Sequence, residues 1–67
     1  METSSMAKRI RAFRKLKGHT QHELAERLGI SVSILGAIER GTRKPEGKLL
    51  KKIAEALYIE VDELTSA

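Results

Sequence analysis

Three glycines, Gly18, Gly29 and Gly41, cut the chain into amphipathic runs that are too short to stand alone, so they must pack as the helices of a small bundle. Over residues 6–17 the apolar side chains Met6, Ile10, Phe13 and Leu16 recur at spacings of four and three. Lys8, Arg9, Arg11, Arg14, Lys15 and Lys17 fill the other faces. This pattern predicts a basic amphipathic helix that Gly18 stops. Thr20-Gln-His-Glu23 has the form of a capping box, in which a threonine hydroxyl serves a free backbone donor and a glutamate reaches back to the cap. The helix it opens carries Leu24, Ala25 and Leu28 on its apolar face and ends at Gly29 after about eight residues. Ser31 is placed to cap a third helix, with Ile34, Leu35 and Ile38 inward, ending at Gly41. Pro45 holds Lys44 extended and can itself open a fourth helix, predicted to run to about Leu57 on Leu49, Leu50, Ile53, Ala54 and Leu57. Ile59, Val61 and Leu64 predict a short fifth helix that closes the core. There is no period-two run, hairpin dipeptide or internal repeat, and the expected fold is all-α with five helices.

Sixty-seven residues make one small domain, with residues 1–5 read as a disordered tail and 6–66 as the folded unit. Leu, Ile, Val and Phe number 17, above the roughly 20% below which charged chains stay unfolded, so a small packed core is expected. With no cysteine, that core has no disulfide to help it, and zinc–thiolate, redox and thiol chemistry are excluded. No apolar run approaches the roughly 18 residues of a membrane span, and the first six residues lack the apolar stretch of a secretory signal. A cytoplasmic protein without membrane contact is expected. The charge is divided unevenly: residues 1–54 hold 13 basic and 5 acidic side chains, whereas residues 55–67 hold Glu55, Glu60, Asp62 and Glu63 and no base. The larger part is suited to an anionic partner.

A helix of about eight residues, a turn containing glycine and a helix of about nine have the spacing of a helix-turn-helix, whose second helix enters the DNA major groove. At the level of residues, Gln21-x-Glu-Leu-Ala25, Leu28-Gly-Ile-Ser31, Ile38-Glu-Arg-Gly41, Pro45, Ile53-Ala-x-Ala-Leu57 and Asp62-Glu-Leu64 follow one another in the order and spacing of a known family. Together they resemble the lambda repressor and Cro family of DNA-binding domains, over about residues 8–64.

The resemblance implies that Gln21, with Thr20 beside it at the start of helix two, contacts a phosphate. It also implies that Arg14 pairs with Glu39, with Arg14 either oriented toward phosphate or serving only to lock helix one to helix three. Arg40, Thr42, Arg43 and Lys44 correspond to positions that clamp the DNA backbone; as a charge run they also fit a merely solvated surface. Lys48, Lys51 and Lys52, on helix four, are read as solubilising. The groove-facing positions are Ser31, Val32, Ser33, Gly36 and Ala37, and here the chain departs from the family pattern. None of these side chains offers the bidentate fork that guanine or adenine needs, so specificity is expected to be modest or to rest on DNA shape and water. Gly36 costs roughly 1 kcal/mol relative to alanine in mid-helix, which points to a close backbone approach.

A single domain of this size covers little DNA, so a weak homodimer on a pseudo-palindromic double-stranded site is expected. Leu57, Tyr58, Ile59, Val61 and Leu64 are candidates for its contact, or simply seal the core. His19 and His22, near Glu23 and Glu26, are too few ligands for a metal, and His19 is expected to be half-buried. No phosphate loop, nucleophile elbow or facing acid–base pair is present, so neither catalysis nor a cofactor is expected. The expected function is that of a small stand-alone transcriptional regulator acting as a repressor. The competing reading is a protein-interaction module on the same scaffold, antitoxin-like or antagonist-like, docking a protein partner on the small-residue face of helix three.

Overall fold

The computed structural model describes residues 5–65 and contains five helices: α1 (Ser5–Leu16), α2 (Gln21–Leu28), α3 (Val32–Arg40), α4 (Gly47–Ala56) and α5 (Val61–Thr65). No strand occurs among the described residues. Ser5, assigned to the tail from sequence, is the first residue of α1; the rest of that tail, residues 1–4, and residue 66 at the predicted end of the domain lie outside the described residues. α1 packs on α3 and α5, α2 on α3 and α4, and α4 on α5. All five helices contribute to one core, in which Ile10, Leu24, Leu35, Ile38, Ile53, Leu57 and Leu64 are fully buried. Each contributes about 2 kcal/mol through the apolar surface it removes from water.

Local chemistry sets the helix boundaries. The Thr20 hydroxyl accepts from the Glu23 N–H at 3.1 Å, and the Glu23 carboxylate accepts from the Thr20 N–H at 2.8 Å, which completes the capping box. Gly29 closes α2 at φ 72° and Gly41 closes α3 at φ 80°, left-handed conformations that a side chain with a Cβ adopts only with strain. At the end of α4 the same geometry falls on a non-glycine residue. Tyr58 sits at φ 58°, its N–H donating to Glu55 O, while the Ile59 N–H donates to Ala54 O. These are the two hydrogen bonds of a Schellman motif, in which glycine is the usual occupant. α5 is opened by a single reach-back, the Glu63 carboxylate accepting from the Glu60 N–H at 3.1 Å.

The structure departs from the sequence reading at three places in the scaffold. Leu16, counted in the apolar stripe of α1, is 75% exposed. The buried stripe of α1 is Ala7, Ile10 and Arg14, and Leu16 lies about 150° round the helix from its middle. α4 begins at Gly47 and not at Pro45, because Glu46 takes the extended N-cap conformation and leaves the proline one residue outside the cap. Leu57 and Leu64, candidates for a dimer contact, are 0% and 1% exposed and belong to the core. Periodicity identified them as inward-facing without saying whether the surface they face lies within the chain or on another copy.

Candidate nucleic-acid interface

α2, the turn through Gly29 and Ile30, and α3 form the helix-turn-helix. Ser31 caps α3, its hydroxyl accepting from the Ile34 N–H at 3.2 Å. The angle between α3 and the rest of the domain is fixed by a buried polar clamp. Arg14 Nε donates to Glu39 Oε2 at 2.7 Å and Arg14 Nη2 to Glu39 Oε1 at 3.1 Å, while Arg14 Nη1 donates to the His19 carbonyl at 2.8 Å. Gln21 Nε2 from the first turn of α2 donates to Glu39 Oε1 at 3.1 Å. One carboxylate on α3 thus receives donors from α1 and α2. No buried side-chain nitrogen or oxygen among the described residues lacks a partner. Satisfying every polar atom is what makes a buried charge pair tolerable.

This geometry gives several of the residues singled out from sequence a structural task. Arg14 is buried, with a hydrogen bond from each guanidinium nitrogen, so three of its five N–H donors lock helices together. Gln21 is half-buried and spends one amide N–H on Glu39, leaving the other for a ligand. The Thr42 hydroxyl donates to the Ala37 carbonyl at 3.2 Å, and the Thr42 and Arg43 N–H groups converge on the same oxygen. Thr42 therefore serves the end of α3 before it serves any partner. His19 is half-buried, and its part in the clamp is played by its backbone carbonyl, which no side-chain pattern announces.

The remaining cations are differently placed. Arg40, Arg43 and Lys44 are exposed, and their side chains make no hydrogen bond or ion pair among the described residues. They follow one another around the left-handed turn at Gly41, at the end of α3. At the other end of the motif, the exposed Thr20 and the N-terminus of α2 present backbone N–H groups that no helical carbonyl satisfies. Thr20 also holds the Glu23 carboxyl below the ordinary glutamate range, first through its backbone N–H and then through its hydroxyl, with smaller contributions from His19 and Arg27.

On α3 itself Ser33 is exposed and Ala37 half-exposed, while Val32 is half-buried and packs partly against the core. Gly36, taken from sequence as part of the exposed groove-facing set, is buried. A Cβ built on Gly36 would lie 3.1 Å from Arg40 Nη1, so the Arg40 side chain lies back over the glycine. The sequence held a signal for this in the i, i+4 spacing of glycine and arginine on one helix face. The described residues contain no group of three or more histidine or acidic side chains that could hold a metal ion, and no helix long and apolar enough to cross a membrane.

A family model described as helix-turn-helix matches residues 10–64. The chain is 56% identical over 64 residues to YazB, an uncharacterized HTH-type transcriptional regulator of Bacillus subtilis, covering 96% of this chain and 93% of that protein. It spans only 39% of the length of other curated HTH-type regulators that it matches. Among solved structures it is similar to the restriction-modification controller protein C.AhdI from Aeromonas hydrophila, with a TM-score of 0.85 at 38% identity, covering 90% of this chain and 91% of that one. It is also similar to the P22 c2 repressor in complex with a synthetic operator, with a TM-score of 0.87 at 33% identity, covering 96% and 97% of the two chains.

Proposed function

The chain belongs to the helix-turn-helix family, and from that premise we propose that it is a transcriptional regulator that binds double-stranded DNA, a small repressor occluding a promoter at the nucleoid. Its role is binding and not catalysis. The observation that carries the reading is the combination of a clamped α3 with free cations at its end: Arg14, Gln21 and Glu39 hold the helix rigidly, and Arg40, Arg43 and Lys44 leave their donors to a partner. Thr20, the second amide N–H of Gln21, Arg43 and Lys44 position the DNA backbone, with the N-terminus of α2 adding its positive end. Thr42 supports this set by fixing the turn. Ser31, Val32, Ser33 and Ala37 enter the major groove, the valine and alanine against thymine methyl groups and the serines as short hydrogen-bonding groups.

Two copies acting on a pseudo-palindrome supply the affinity that one such domain lacks. Their contact is formed by Tyr58, Ile59 and Val61, at the end of α4 and the start of α5, where Tyr58 is 72% exposed and Ile59 and Val61 are half-buried against the core. Selection of bound fragments from a random duplex library, at low and at physiological salt, tests the whole reading. An enriched inverted repeat that persists at the higher salt supports a dimeric, site-specific regulator. Binding that collapses with salt and enriches no sequence contradicts it and transfers the small-residue face of α3 to a protein partner.

A further inference from the structure

We propose that Arg40 is a base-reading residue, its guanidinium seated on Gly36 so that it reaches a guanine edge in the major groove. The proposal rests on the DNA-binding reading above and adds the specificity determinant that this reading lacks.

At about 100° per residue, Ser33, Gly36, Ala37 and Arg40 fall on one stripe of α3, opposite the core-facing Leu35 and Ile38. The first three are the smallest side chains available, so the stripe is nearly flat. Helical side chains lean toward the helix N-terminus, and Arg40 does so: its Nη1 lies 3.1 Å from where a Gly36 Cβ would stand. That carries the guanidinium about one turn back along α3, toward the end that a recognition helix presents to base edges. Any residue other than glycine at this position meets that nitrogen at a separation where one of the two must move.

The Arg40 side chain makes no hydrogen bond or ion pair among the described residues, so the five N–H donors of its planar fork are all available. Guanine O6 and N7 are the two acceptors on a base edge that such a fork matches in bidentate fashion. A backbone-clamping arginine needs no such seat, because a phosphate is reached equally well from a side chain extended into solvent. The mid-helix glycine is therefore accounted for: its cost in helix propensity makes room for the reading head.

The test compares the wild type, Arg40→Ala and Gly36→Ala on the selected duplex and on variants with each base pair replaced in turn, by fluorescence anisotropy at several salt concentrations. Circular dichroism checks that each variant is folded. For the wild type, one G·C position is expected at which replacement weakens binding about tenfold, the order expected of a bidentate contact. Arg40→Ala abolishes discrimination at that position and leaves it intact elsewhere. Gly36→Ala keeps the charge and the salt slope but reduces discrimination at the same position. If Arg40→Ala instead weakens every duplex by the same factor and lowers the salt slope by about one, Arg40 is a phosphate contact, and the proposal fails while the DNA-binding reading stands. Wild-type binding without preference at any position overturns the proposal together with the site-specific part of the reading above, and leaves only non-specific DNA binding. Absence of duplex binding by the wild type overturns both.

Discussion

Replacing Glu39 by glutamine removes one charge and almost no volume, and it singles out the clamp as the part of the domain most sensitive to a conservative change. In the native chain the Glu39 carboxylate accepts two hydrogen bonds from the Arg14 guanidinium, at 2.7 and 3.1 Å, and a third from Gln21. Arg14 is 7% exposed and Glu39 5%. The variant therefore keeps a guanidinium out of water without its counter-charge, and an amide at position 39 offers one acceptor oxygen where there were two. Stranding one member of a buried pair costs about 3–5 kcal/mol. The surviving amide oxygen and the Arg14 bond to the His19 carbonyl, at 2.8 Å, place this case near the lower end. A domain of this size has a total stability of roughly 3–10 kcal/mol, so the loss is a large share of it. With a urea m-value of about 1 kcal/mol/M, the denaturation midpoint falls by about 3 M. The double variant Arg14→Met with Glu39→Leu removes both charges together and recovers at least half of that loss, because the desolvation cost disappears with the attraction. Urea titrations followed by circular dichroism on the two variants and the wild type give all three numbers. A Glu39→Gln loss under about 1 kcal/mol, or a double variant no more stable than the single one, refutes the account of the clamp.

Three further outcomes are expected. Tyr58→Gly removes a left-handed non-glycine residue from the end of α4 and raises stability by about 1 kcal/mol, visible as a higher thermal midpoint, since the exposed ring contributes little burial. The lowered Glu23 pKa means that this group favours folding fully above its unfolded value of about 4.3 and loses that contribution as pH falls through the lower folded value; an acid titration of stability for Glu23→Gln therefore shows a flatter acid limb than the wild type. Gly36→Ala stabilises α3 by up to about 1 kcal/mol in chemical denaturation, since the group it displaces is the far end of the long Arg40 side chain, which shifts by a few tenths of an ångström, and a loss of stability would show that the glycine is packed against something less yielding.

How far the sequence could be read depended on how local the governing interaction is. The Thr20–Glu23 box, the Ser31 cap and the glycines at 29 and 41 act within three or four residues of themselves, and the helices they bound follow from their spacing. The Arg14–Glu39 pair spans 25 residues, and no periodicity announces it; it was readable only through the family resemblance. The same buried arginine misled the reading of α1, because an apolar-period search passes over Arg14 and takes Leu16 in its place. Leu57 and Leu64 show a different limit. Their inward-facing character is written in the pattern, but which surface they meet depends on how α1 and α5 come together. Gly36 was misplaced because a glycine has no side chain of its own to indicate exposure.

The contact between α1 and α5 also bears on how the chain is made. Ile10 and Leu64 share one core, and Arg9 Nη1 reaches the Glu63 carbonyl at 3.5 Å, so α1 packs against a segment 54 residues later in the chain. α2 and α3 meet their partners within a few tens of residues, but α1 cannot bury its whole stripe until residue 64 has cleared the exit tunnel. At synthesis rates of roughly 5–20 residues per second, its apolar edge waits a few seconds for a partner. Lysines and arginines crowd the rest of α1, and charge of that kind opposes association of an apolar edge that has not yet met its partner.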